Sequence, residues 1–75
     1  MSLEAERLEA LVEQLDQLTE EIADLSLDLL REALGGPDPK ASPAARAEKV
    51  VSRARRSVEK AAQLLRGIGR ELGED

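Results

Sequence analysis

Cysteine, histidine and all three aromatic residues are missing from this 75-residue chain. Without cysteine, neither a disulfide nor a thiolate-held metal can staple the fold. Without histidine, the commonest general base and metal ligand is gone. Without Phe, Trp or Tyr there is no ring on which a nucleobase can stack, which disfavours single-strand nucleic-acid recognition. Long apolar runs are lacking too: they reach only two or three residues, against about 18 for a membrane span, so no membrane partner is expected. The opening MSLEAERLEA has neither the basic start nor the apolar core of a secretory leader. The expected location is cytoplasmic.

What remains is Leu, Ile, Val and Ala among many charges. With a chain this short, a single domain covering residues 1–75 is expected. A bias toward Ala, Arg, Glu and Leu favours helix. One stretch interrupts it: GGPDPKASP, Gly35 to Pro43, which holds two of the five glycines and all three prolines. Gly35 or Gly36 can take the left-handed conformation that ends a helix. The prolines forbid helical continuity. Ser42 reads as an N-cap with Pro43 at the first helical position, Asp38-Pro39 being a competing start. The spacing therefore predicts helix 1 over about 3–34, a hinge at 35–42 and helix 2 over about 43–72. Gly67, Gly69 and Gly73 let the second helix stop early, anywhere from Arg66 to Leu72.

Apolar residues recur along helix 1 at Leu8, Leu11, Leu15, Leu18, Ile22, Leu25 and Leu29. On helix 2 they recur at Ala44, Ala47, Val51, Ala54, Val58, Ala61, Leu65, Ile68 and Leu72. Both sets alternate spacings of three and four, the heptad pattern of paired helices. Similar lengths and a short link imply an antiparallel two-helix hairpin, an all-α fold. Bulky helix 1 positions face Ala47, Ala54 and Ala61 in this reading. Ala54→Leu is then expected to overpack the seam, while the same change at Ala45 does little.

Apolar residues also lie outside the seams. Ala23, Leu27, Leu30 and Leu34 form a second stripe on helix 1, with Val50 and Leu64 beside the seam of helix 2. A chain of this size rarely gains more than about 3–5 kcal/mol from one core. The hairpin is therefore expected to dimerise into a four-helix bundle through these six residues.

Charge is segregated. Residues 1–38 carry eleven acids and two bases; residues 39–75 carry five acids and nine bases. The resulting −9 and +4 give the whole-chain −5. Acids at Glu6, Glu9, Glu13, Asp16 and Glu20 form a ladder on helix 1. Bases at Arg46, Lys49, Arg53, Arg56 and Lys60 form a ridge on helix 2, and SRARRS, Ser52 to Ser57, lies in it. By phase this ridge faces away from helix 1. A solvated face or an acidic protein partner, including the acidic ladder of a second copy, fits it better than nucleic acid. The overall acidity opposes a polyanion, and no DNA- or RNA-binding motif accompanies the ridge. With the acidic ladder toward the termini and the basic ridge toward the loop, a loop-beside-termini pair sets opposite charges level.

Glu20, Glu21, Asp24 and Asp28 lie along one helix flank and could contribute to a Mg²⁺ site. Such a site needs carboxylates from a second helix, whose body offers only Glu48 and Glu59. No catalytic, cofactor-binding or metal-binding residue is assigned, and no enzyme activity or cofactor is expected. The expected function is a non-catalytic, self-associating interaction or assembly module. The alternative is a small accessory or regulatory protein that binds nucleic acid through the helix 2 ridge.

Overall fold

The computed structural model describes residues 2–73. Two helices, α1 (Leu3–Leu34) and α2 (Pro43–Gly73), are joined by a single 3-10 turn at Pro39–Ala41. They fold back on each other as an antiparallel hairpin, and no strand is present among the described residues. The molecule is a rod of 59 × 14 × 11 Å. Its radius of gyration, 16.9 Å, far exceeds the about 11 Å of a compact domain of this length.

Local chemistry sets the helix ends. Ser2 is extended and its Oγ accepts the Ala5 N–H at 3.0 Å, capping α1. Glu4 and Glu6 in the first turn and Arg31 in the last complement the helix dipole. Ser42 caps α2: its Oγ accepts the Ala45 N–H at 3.0 Å and donates to the Pro39 carbonyl at 3.2 Å. The competing Asp38-Pro39 start survives as the 3-10 turn, closed by Ala41 N–H to the Asp38 carbonyl.

Two expectations about glycine are corrected. No glycine among the described residues has a positive φ; Gly35 closes α1 at φ −78°. The Gly36 N–H bonds the Ala33 carbonyl, tightening the last turn. Pro37, with no N–H to give, stops the helix without a left-handed residue. At the other end α2 runs through Gly67 and Gly69 without a break. A Cβ built on Gly69 would stand 3.5 Å from Leu8 Cδ2, so this glycine lies in the seam against α1.

The larger correction concerns the seam. Let Leu8, Leu15, Ile22 and Leu29 occupy heptad position a on α1, and Ala44, Val51, Val58, Leu65 and Leu72 on α2. The predicted seam pairs a with d, three residues on. The hairpin instead pairs a with e, four residues on. On α1 the e column is Ala5, Val12, Thr19, Ser26 and Ala33, each buried or half-buried. On α2 it is Glu48, Arg55, Ala62 and Gly69, with Ala62 only 1% exposed. The d residues Leu11, Leu18, Leu25 and Ile68 are 42–50% exposed, and Ala47 and Ala54 are exposed as well. Ala54 is therefore not a close-contact position between the two helices, whereas Ala45 is half-buried. On α1 the e residues are smaller than the leucines at d, and on α2 Ala62 and Gly69 leave room for close approach, while the longer Glu48 and Arg55 carry the e column toward the loop. Leu-against-Ala matching exists in the sequence, but those columns do not face each other within the hairpin.

Candidate interaction surfaces

The register follows from contacts across the seam. Leu8 lies level with Gly69, Asp16 pairs with Arg66, and Ser26 sits between Glu48 and Ser52. Asp16 and Arg66 both occupy heptad position b, so the b columns of the two helices share one flank of the hairpin. The d columns lie on the other side of the seam on each helix and therefore share the opposite flank. Leu11, Leu18 and Leu25 come level there with Ile68, Ala61 and Ala54. Position g adds Val50 and Leu64, 55% and 62% exposed. Between Leu11 and Leu25 the d columns carry no charge. The result is an apolar strip built from both helices at d, flanked at g by Val50 and Leu64 and by the charged Arg7, Glu21, Asp28 and Glu71.

The b and f flank is different. It carries the acidic ladder on α1 and Lys49 and Arg56 of the basic ridge on α2. Near the loop it also carries Ala23, half-buried, and Leu27, Leu30 and Leu34, all exposed. The six residues assigned to dimerisation from sequence thus fall on two flanks: four on this one, and Val50 and Leu64 on the apolar one. Toward the termini the same polar flank opens into a groove of about 570 Å³. Ala5, Val12, Leu65 and Gly69 form its floor, and Glu9 and Arg70 stand at its rim.

All five ridge residues, Arg46, Lys49, Arg53, Arg56 and Lys60, are exposed. Among the described residues none of them is ion-paired; Arg46 only donates to the Ala41 carbonyl at 3.1 Å. The three arginines of SRARRS part company. Arg53 and Arg56 project outward on the ridge, and Arg55 lies half-buried at a seam position. There its charge acts on Glu48.

One polar cluster crosses the seam, and sequence reasoning missed it. Ser26, a buried residue of α1, donates to Glu48 Oε1 at 2.8 Å; Ser52 donates to the same oxygen at 2.5 Å. These hydroxyls hold the Glu48 carboxyl below its ordinary pKa, with smaller help from Arg55 and Arg56. Two serines and an acid placed at or beside the a columns were the available signal. The base that both serines bond is a carboxylate whose lowered pKa makes it a weak proton acceptor; the cluster ties the two helices together at one level. The carboxylates Glu20, Glu21, Asp24 and Asp28 do not converge with others: Asp28 pairs with Arg31 at 3.5 Å. No group of three potential ligands that could hold a metal ion occurs among the described residues. No described helix is long and apolar enough to cross a membrane. No family model, curated protein or solved structure matches the chain.

Proposed function

We propose that this chain is a non-catalytic helical assembly module that works by self-association. One observation carries the reading. Among the described residues, eleven large aliphatic side chains are exposed, while no large side chain is fully buried and the core is Val12, Ala33 and Ala62. A lone hairpin leaves these side chains in water, and monomers rarely expose large apolar patches. A second copy is the simplest cover. Sedimentation equilibrium at tens of micromolar tests this: a dimer is expected, and a monomer there overturns the reading.

The basic ridge supports a second reading, contact with a nucleic-acid backbone, because its five cations are exposed and not ion-paired with described residues. It predicts retention on heparin and a salt-sensitive gel shift abolished by changing Arg53, Arg56 and Lys60 to Ala. Arg55 is left out of that variant because it lies in the seam. No retention at low salt removes this alternative.

A further inference from the structure

We infer that the second copy docks on the d and g flank, with the two loops at the same end of the resulting bundle. This rests on self-association and adds the face and the orientation.

Heptad geometry selects the face. In a square four-helix bundle each helix has two neighbours about 90° apart. The a and e columns of this hairpin already meet one neighbour. From the centre of that seam, at ~100° per residue, the d column lies about 80° and the g column about 140° around each helix, so their mean is about 110° away, where the second neighbour must stand. The a and d residues then all point to the centre of the square. The polar b and f flank stays outside. The flank from the Leu11–Ile68 layer to the Glu32–Ala47 layer is about 30 Å long at 1.5 Å per residue and about 20 Å wide. A pair of such faces covers about 1,200 Å², the lower end of the range for stable interfaces.

Size and charge select the orientation. With the two-fold axis parallel to the helices, each α1 lies beside the partner's α2. Leu11, Leu18 and Leu25 then meet the Ile68, Ala61 and Ala54 columns of the second copy, large against small. With the axis perpendicular to them, leucines meet leucines on one side and alanines meet alanines on the other. The first arrangement alternates acidic α1 and basic α2 around the square. It sets Arg7 level with Glu71 of the second copy, and Glu21 and Asp28 beside its basic ridge. The second arrangement puts acidic helix beside acidic helix and basic beside basic, which opposes association along their whole length. Charge balance between adjacent helices outweighs the end-to-end balance that favours a loop-beside-termini pair, because neighbours lie about 10 Å apart.

Two measurements test this. The first places a spin label at the hinge through Asp38→Cys; the chain has no other cysteine. Loops at one end give a label-to-label distance under about 30 Å; loops at opposite ends give more than about 45 Å, the length of α1 at 1.5 Å per residue. The long distance overturns the orientation. The second compares Leu18→Lys with the Leu27→Lys, Leu30→Lys double variant by sedimentation equilibrium. Leu18→Lys is expected to weaken the dimer at least 100-fold, and the double variant less than about 5-fold. The reverse ranking overturns the face and moves the interface to the loop-end stripe. A wild-type monomer overturns self-association itself, and is distinguished from both because it needs no variant.

Discussion

The two flanks of the hairpin are built from the same two helices, yet they differ in what they leave exposed. One flank brings Leu11, Leu18 and Leu25 level with Ile68, Ala61 and Ala54 in d columns that carry no charge over that stretch. The other bears the acidic ladder, part of the basic ridge and the Asp16–Arg66 pair. Between them, the seam that holds the molecule together combines half-buried Leu8, Leu15, Ile22 and Leu29 with small residues, of which Ala33 and Ala62 are among the most buried. A second set of bulky apolar side chains, Leu11, Leu18, Leu25 and Ile68 at d, is turned outward. Such an arrangement suits a half-built object, in which the first interface permits close approach and the second supplies hydrophobic area.

Substitutions at two alanines break that comparison most directly. Ala62→Leu forces a large side chain into the seam and is expected to destabilise by about 1–3 kcal/mol, with a loss that does not depend on protein concentration. Ala54→Leu should leave the seam alone and act only through association, so its effect on the unfolding midpoint should change with concentration. Urea unfolding of both variants at two concentrations tells them apart; a concentration-independent loss at Ala54 with little loss at Ala62 would mean that d rather than e faces the partner helix.

Gly67→Ala is expected to stabilise by about 1 kcal/mol, because helix propensity improves and a Cβ there meets nothing within 4 Å. Gly69→Ala should gain less, since its Cβ arrives at 3.5 Å from Leu8. Thermal unfolding ranks the two, and a larger gain at Gly69 would show the seam to be looser than drawn. Smaller again is Asp16→Asn. The pair with Arg66 is about half exposed, so its loss should cost about 0–1 kcal/mol and vanish in high salt.

The smallest effect is confined to acid. Glu48 has its folded pKa lowered by the Ser52 and Ser26 hydroxyls. The unfolded chain therefore takes up the proton first as pH falls. The stabilisation is present above the ordinary carboxylate pKa and disappears as pH drops through the lower folded value. Glu48→Gln should remove that slope, so that the difference in stability between neutral and acid pH is smaller than in wild type. A variant whose acid profile matches wild type would show that the serine contacts do not persist in solution.

Much of the fold was legible in the residues themselves. The boundaries at Leu3, Leu34 and Pro43 follow from capping serines and from prolines that cannot continue a helix, which are local effects acting over three or four residues. The basic ridge could be read as outward-facing for the same reason: phase along one helix is set by 3.6 residues per turn. The Ser26–Glu48–Ser52 cluster was not legible, because it depends on which residues of two helices stand level.

Which pair of columns closes the hairpin was decided only by tertiary structure. Both helices carry mainly apolar or small residues at a and d, and each has small residues at e as well, Ala33 on α1 and Ala62 and Gly69 on α2, so the sequence permits a seam of a with d or of a with e. Hydrophobicity alone favours the leucine-rich d column. Packing two backbones against each other favours the small residues at e, where Ala33, Ala62 and Gly69 allow close approach. The sequence by itself determined two capped helices and a proline hinge, since those depend on near neighbours in the chain. Tertiary structure determined which leucines are left for another molecule, since that depends on the distance between helix axes, a quantity no single helix contains.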